Sequence, residues 1–424
     1  MPGLDALDVI SNETYERNGY PHEAWTQLRR QSPVHRFAPE GVRPFWAVTK
    51  HADIVAISKN PAVFQNAPRL GVFPGLEPFD DGPPPARHLI NMDPPEHGRF
   101  RRLVSSHFAP RQLQRLTASI EAIARDVLDQ FAGDGREREA DFVSGVSATF
   151  PLAVLCDLLG APRADWPKLF QWTNETIGAN DPEFQQHGES PADTAERSRS
   201  ELFQYFWQMI EERRARPTAD IVSILANARI DGGYVPPFEL LSYCFLLVVA
   251  GNETTRNATS GGLLALIRNP EELEKLRRDP TLIDAATEEI VRWTSPVIQF
   301  CRTPVHDVEL RGQRIPAGEN LCLFYPSANR DEEVFEDPFA FRVDRAPNPH
   351  LGFGIGEHFC LGANLARLEL RIIFRQLVER LQSIALAGDV ARLRSSFVGG
   401  IKSMPVSYQL RAAPWLIRST PARR

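Results

Sequence analysis

The sequence is poor in cysteine, with five in 424 residues. They are Cys156, Cys244, Cys301, Cys322 and Cys360, widely spaced and without a C-x-x-C pair. That excludes a zinc ribbon and a disulfide framework and fits a reducing compartment. Long apolar runs are missing too. The longest, Tyr243 to Ala250, is far short of the ~20 residues that span a bilayer. The first twenty residues carry acids and no apolar core, so they read as neither a signal peptide nor a membrane anchor. There is no basic excess: 48 Lys and Arg against 54 Asp and Glu leave a net charge of −6, which argues against a nucleic-acid partner. Repeats and low-complexity tracts are absent as well. A cytoplasmic protein is expected.

What the chain does have is ordinary globular material, 42% hydrophobic and 24% charged, enough for a large core. Proline is abundant at 35 residues, which implies many helix starts and long ordered loops. Apolar periodicity predicts a short helix over 21–31, strand-like pieces around 45–49, and helices over 111–131, 200–214, 238–268, 271–278 and 281–293. The 238–268 segment is long and apolar over most of its surface, so it reads as a buried central helix. Short strands follow over 296–325, with a turn at Pro316-Ala317-Gly318. A Pro-rich loop fills 326–359, a helix spans 361–381, and the tail at 392–411 returns to strands. The fold class is mostly α with a minor antiparallel β component. No linker stands out, and 1–424 reads as one catalytic domain. The irregular, Pro- and Gly-rich stretch at 66–95 is of a kind that is usually functional or mobile.

The most informative stretch runs from His350 to Arg367. Gly352, Gly354 and Gly356 permit a tight backbone path. Cys360 then stands at the mouth of a helix, where free N–H groups and the positive dipole end favour thiolate over thiol. A thiolate held this way is a good axial ligand for haem iron. Taken alone, a lone cysteine is more often a small buried hydrophobe, and a Gly-rich loop before a helix can cradle phosphate. Here there is no G-K-[ST] ending and no G-x-G-x-x-G spacing. The pattern Phe353-Gly-x-Gly-x-His-x-Cys-x-Gly362 resembles the haem-ligand signature of the cytochrome P-450 family at every fixed position.

The resemblance extends along most of the chain. It implies the cytochrome P-450 fold, haem b as cofactor, Cys360 as the metal ligand, and Phe353, Gly354 and Ala250 against the cofactor. Glu289 and Arg292 share a helix face at i, i+3. Alone such a pair is commonplace on solvated helices, but it resembles the family's fixed ion pair, with Arg345 as its third partner and a structural task. His97 and Arg101, four residues apart on one face, match the family's propionate-binding segment. Arg302 and His358 match its other propionate partners. Each could otherwise be a surface charge or a satisfied histidine.

Ala250-Gly-Asn-Glu-Thr-Thr255 interrupts the central helix with a polar patch. A helix kink is one reading. The other is the family's oxygen-activation motif, which implies that the Thr254 hydroxyl hydrogen-bonds the oxygen and Glu253 relays protons from water. By analogy the substrate pocket includes Leu246, Val249, Ala250, Val297, Ile298, Phe397 and Val398, although each could be plain core. An apolar pocket predicts an apolar substrate. Segments 66–92 and 170–198 would form a lid. The runs at 325–335, 397–402 and 250–256 resemble bacterial members that hydroxylate terpenoids or steroid side chains. No flavin or nicotinamide fingerprint is present. The resemblance therefore implies an O2-dependent monooxygenase fed by an external ferredoxin and its NAD(P)H-dependent reductase. Arg99, Arg102, Arg111 and Arg115 are candidates for a ferredoxin-steering patch; monomer is the family's usual state. Rival readings are a peroxide-driven peroxygenase, a non-enzymatic haem carrier or sensor, and a helical binder of apolar ligands.

Overall fold

The computed structural model describes residues 3–74 and 87–411. Part of the expected lid, residues 75–86, lies outside them. The central helix runs Pro237–Arg268, with Pro237 and Glu239 in its first turn and Arg268 in its last. Each end therefore carries the residues that suit its exposed backbone groups. From Leu240 to Leu266 it is buried on nearly every side, and the largest apolar cluster is built around it. Helices Ile283–Thr294 and Ala363–Arg380 pack against it, and Gly262 sets how close they come. A Cβ there would stand 2.8 Å from both Ile290 Cγ2 and Phe374 Cζ.

Several elements differ from expectation. Helix Pro191–Ala215 starts nine residues earlier than the apolar pattern predicts. Ser190 and Asp193 form a reciprocal capping box, and Pro191 follows the cap, so the start is set by polar signals. The expected helix over 111–131 is a turn, Pro110–Leu113, a 3₁₀ piece, Gln114–Leu116, and the helix Thr117–Ala132. The expected lid stretch 170–198 holds the end of helix Trp166–Ile177 and the start of Pro191–Ala215. Between them Asp181, 1% exposed, is bound by Lys402 Nζ at 2.8 Å.

Strands Val34–Phe37, Phe45–Val48, Asn320–Phe324, Gln299–Pro304 and Phe64–Gln65 lie side by side in that order. All pairs are antiparallel except one: Asn320–Phe324 runs parallel to Phe45–Val48. A parallel neighbour needs a long crossover, and here most of the chain supplies it. A second sheet joins Leu381–Leu386, Pro405–Leu410 and Arg138–Asp141. Its first and last strands went unseen in the sequence, because Arg138–Asp141 is too polar and Leu381–Leu386 continues a helical pattern.

Between Ala328 and the short turn at Gly356 the chain has no helix or strand, yet its backbone polar groups need partners. Three side chains provide several of them. Arg292 donates to the carbonyls of Asn329 (2.8 Å), Pro338 (2.9 Å) and Ala340 (3.2 Å). Arg345 donates to those of Glu336, Asp337 and Ala340. Asn329 Oδ1 accepts from the Leu351 N–H at 2.7 Å. Both guanidiniums meet at Glu289, whose carboxylate is fully buried. It receives Arg292 at 2.7 Å on each oxygen, Arg345 at 3.1–3.2 Å, the Arg342 N–H at 2.9 Å and Asn348 at 3.2 Å. Removing one partner of such a buried pair strands a charge, at about 3–5 kcal/mol. Arg292→Ala should therefore lower the thermal unfolding midpoint by many degrees, read by circular dichroism. Arg292→Lys should recover little of it, since an ammonium cannot serve Glu289 and three carbonyls at once.

Candidate active site

The loop before Cys360 is fixed by its glycines. Gly354 and Gly356 hold φ of +66° and +80°, a region that side chains disfavour. At Gly356 a Cβ would come within 2.3 Å of the Ser58 carbonyl oxygen. The Cys360 N–H donates to the Phe353 carbonyl at 2.9 Å, and helix Ala363–Arg380 begins just beyond, capped by Gly362. Arg367 lies over the Phe353 ring, 4.5 Å from its centroid. Its guanidinium also bonds Glu288 at 2.7 Å twice, and His350 reaches Glu288 at 3.0 Å. The cysteine loop is thereby tied to the helix that carries Glu289.

Cys360 opens onto an extended cavity that reaches from the cysteine loop to the central helix. Burial pushes the Cys360 thiol above its ordinary range, and the Gly362 N–H, Arg101 and Arg367 only partly offset this. A metal cation at the sulfur reverses this, because a coordinating thiol loses its proton outright.

The structure brings His97, Arg101, Arg302 and His358 to this cavity. The two imidazoles lie ring to ring, centroids 4.1 Å apart. Burial and Arg101 bring His97 down to about 4, while burial, His97, Arg302 and Arg101 bring His358 to about 2. Both rings are therefore neutral, and the positive charge here belongs to the arginines. The Nε2 atoms of both histidines are buried without a partner, as though awaiting an acceptor or donor. Arg101 also donates to the Phe359 carbonyl at 2.7 Å.

Phe353, Gly354, Leu246, Ala250, Val297 and Thr254 line the same cavity. The Thr254 hydroxyl donates to the Ala250 carbonyl at 2.8 Å. Glu253 points elsewhere. It is 2% exposed and bonded to Arg256 at 3.1 and 3.2 Å, beside a narrow void shared with Asn174, Asn257 and Lys402. Four expected pocket residues also sit off the cavity wall. Ile298 is packed with Trp25, Phe45 and Phe324 in a separate core, because strand alternation turns it away from the side its neighbour Val297 presents. Val249 belongs to the main helical core. Val398 forms a bridge to Val297, and Phe397 meets Phe300 edge-on, 5.5 Å between centroids, so both support the wall from behind. Lining residues that sequence reasoning passed over include Phe300, Tyr325, Leu155, Leu158 and Glu369. The apolar run at 150–156 was a signal for Leu155; for Glu369 the sequence held none.

An apolar chamber with two cations and two unpartnered imidazoles at one place, and a cysteine sulfur at another, suits a flat, largely apolar ring system with two carboxylates and a central metal. Haem is such a group, and the pocket is of the haem-thiolate class. The chain belongs to the family described as Cytochrome P450, whose model matches residues 15–398. It is a haem-thiolate monooxygenase. It is 38% identical to the methyl-branched lipid omega-hydroxylase of Mycobacterium tuberculosis, covering 96% of this chain and 94% of that one. It is 39% identical to the steroid C26-monooxygenase of Mycolicibacterium smegmatis, covering 96% and 93%. A Mycobacterium marinum cytochrome P450 solved with pseudoionone superposes with a TM-score of 0.88 at 36% identity, covering 96% and 99%. Among the described residues no helix is long and apolar enough to cross a membrane.

The tie between the cysteine loop and its support has a pH signature. Burial works to raise the Glu288 pKa, but the Arg367 and His350 bonds outweigh it and bring it to about 2. A depressed carboxyl stabilises the fold above its ordinary 4.5 and loses that contribution as pH falls towards 2. The difference in unfolding midpoint between wild type and Glu288→Gln should thus be full above pH 4.5 and shrink below it, measured by thermal scans along a pH series.

Proposed function

We propose that this enzyme hydroxylates an unactivated C–H bond of an apolar terpenoid, steroid or branched lipid. Its electrons come from a ferredoxin served by an NAD(P)H-dependent reductase. The supporting observation is the cavity, whose walls away from the arginine and histidine cluster are mostly apolar, with leucine, isoleucine, valine and phenylalanine in the majority. Such walls hold a hydrocarbon by shape and exclude water, with few polar handles to orient anything else. The names of the relatives, a lipid omega-hydroxylase and a steroid C26-monooxygenase, point the same way.

When bound, haem supplies the oxygen chemistry at its iron. The chain's own groups do the rest. Cys360 would hold the metal through its sulfur. Arg101, Arg302, His97 and His358 would bind the two propionates, the histidines through their unpartnered ring nitrogens. The Thr254 hydroxyl, on the cavity side of the central helix, would turn from the Ala250 carbonyl to hydrogen-bond oxygen in the chamber. Glu253 brings protons from the other side of the helix. Arg256 Nε and Asn257 Nδ2 are unpartnered there, and water in the adjoining void would satisfy them. Glu253 must leave Arg256 to deliver, so the carboxyl swings between void and cavity. The exposed Arg99, Arg102, Arg111 and Arg115 offer positive charge to an acidic ferredoxin.

The first test is the absorption spectrum of reduced protein with carbon monoxide. Wild type should show the red-shifted Soret band of thiolate ligation, and Cys360→Ala should lose it; a wild type without a Soret band after haem loading would sink the proposal. Titration with a branched fatty acid, an isoprenoid ketone and a sterol should shift the resting Soret band with at least one of them. In a reconstituted turnover, Thr254→Ala should keep the carbon monoxide spectrum while the peroxide-to-product ratio climbs about tenfold or more.

A further inference from the structure

Two of the five cysteines face each other. Cys301 of strand Gln299–Pro304 stands directly opposite Cys322 of strand Asn320–Phe324 in the antiparallel register. The Cys301 N–H donates to the Leu70 carbonyl at 2.8 Å, on the other side of its strand. By alternation the Cys322 backbone groups also point away from Cys301, towards strand Phe45–Val48. The two residues are therefore an opposed pair with no backbone hydrogen bonds between them. Such pairs bring Cα atoms to about 4.5 Å, inside the ~4.4–6.8 Å that a disulfide spans. Both side chains enter the small core that holds Trp25, Phe45 and Phe324, and they are 1% and 0% exposed. The two thiols interact directly, and Cys322 Sγ donates to Gln299 Oε1 at 3.2 Å.

The haem chemistry does not use this pair, and packing does not require it. A buried cysteine acts as a small hydrophobe, and on a strand valine packs as well. Two thiols in contact add a reaction that two valines lack. Their place gives the reaction a consequence. Strand Gln299–Pro304 alternates its faces: Phe300 and Arg302 line the cavity, while Cys301 and Gln299 lie behind them. Gln299 also donates Nε2 to the Val72 carbonyl at 2.7 Å and accepts the Val72 N–H at 3.2 Å. Together with the Cys301–Leu70 bond, this fastens residues 70–72 to the strand.

We propose that Cys301 and Cys322 are an oxidisable dithiol behind the cavity wall, which closes to a disulfide under hydrogen peroxide and weakens the binding of an apolar substrate. A monooxygenase releases this oxidant from O2 whenever electrons arrive without hydroxylation. One cysteine attacks peroxide as its thiolate: an S–O bond forms, the O–O bond breaks, and the departing hydroxide leaves as water with the thiol's proton. The second thiol attacks the sulfenic sulfur. The S–S bond forms, the S–O bond breaks, and a second water leaves. Two thiols are oxidised and one peroxide is reduced. Burial, with Cys301 beside it, holds the Cys322 thiol well above its ordinary range, so the resting pair stays protonated and reacts slowly. Closure brings the sulfurs to about 2.0 Å and removes the hydrogen that Cys322 gives Gln299. Gln299, residues 70–72 and the Phe300 wall then shift together. The disulfide does not depend on the proposed substrate class; its effect on binding rests on that reading.

Haem-loaded protein is treated with hydrogen peroxide, and separately with diamide, then denatured with an alkylating agent and digested. Mass spectrometry should find peptides joined through Cys301 and Cys322, and alkylated thiols should fall from five to three. Cys301→Ala and Cys322→Ser should each keep their remaining thiols. Followed by the Soret shift, the oxidised wild type should bind an isoprenoid ketone about threefold or more weakly. Dithiothreitol should restore the affinity, and the two variants should not respond to oxidant. Absence of the joined peptides in the wild type overturns the proposal, as does a joined protein with unchanged affinity. No Soret shift with the ketone before oxidation strikes the substrate reading instead, and the joined peptides still decide whether the dithiol closes.

Discussion

One fully buried carboxylate, that of Glu289, governs the geometry of this enzyme. Two guanidiniums, a side-chain amide and a backbone N–H converge on it. The same guanidiniums reach outward to five backbone carbonyls in a loop that has no helix or strand to satisfy it. A buried ion pair is not by itself a gain in stability, because desolvation consumes most of the Coulomb attraction. Its use here is positional. Without it the loop backbone would have unpaired carbonyls in the interior, and the segment ending at Cys360 would have no fixed path. Glu288, next in sequence, ties the far end of the same loop through Arg367 and His350. Adjacent carboxylates thus hold the two ends of the cysteine segment to one helix.

The cavity shows a division of chemistry by place. Positive charge is confined to Arg101 and Arg302, next to two imidazoles that burial keeps neutral. Burial likewise raises the Cys360 thiol above its ordinary range. The arrangement suits haem, with a sulfur where its metal would lie and cations where its carboxylates would. Elsewhere the walls are mostly apolar, interrupted by Asn66, Tyr325, Thr254 and Thr255 on the central helix, and Glu369 on the helix after the cysteine.

Much of this was legible in the sequence, and what was not has physical reasons. The central helix, the glycine-flanked Cys360 and the pairing of Glu289 with Arg292 are local patterns, and local patterns survive folding. The arrival of His97, Arg302 and His358 at one cavity was reached through resemblance, since spacing alone does not bring positions so far apart together. Orientation was the weak point. Glu253 and Thr254 are neighbours, so on a helix about 100° apart, and only the threonine faces the chamber. Val297 and Ile298 are neighbours on an extended segment, and again only one does. Glu369 had no signature because an acid in an amphipathic helix looks solvated until the fold buries it.

The parallel join between Phe45–Val48 and Asn320–Phe324 has a consequence for biosynthesis. The N-terminal hairpin, Val34–Phe37 with Phe45–Val48, leaves the ribosome early, with the Phe45–Val48 edge open. The strand that covers this edge emerges only after the central helix and its neighbours have been translated. An uncovered strand edge is a template for pairing with other chains, and contacts between distant segments are slow to form. Slower translation or a lower growth temperature, which limit how many open hairpins coexist, would favour the folded enzyme over aggregates during its production.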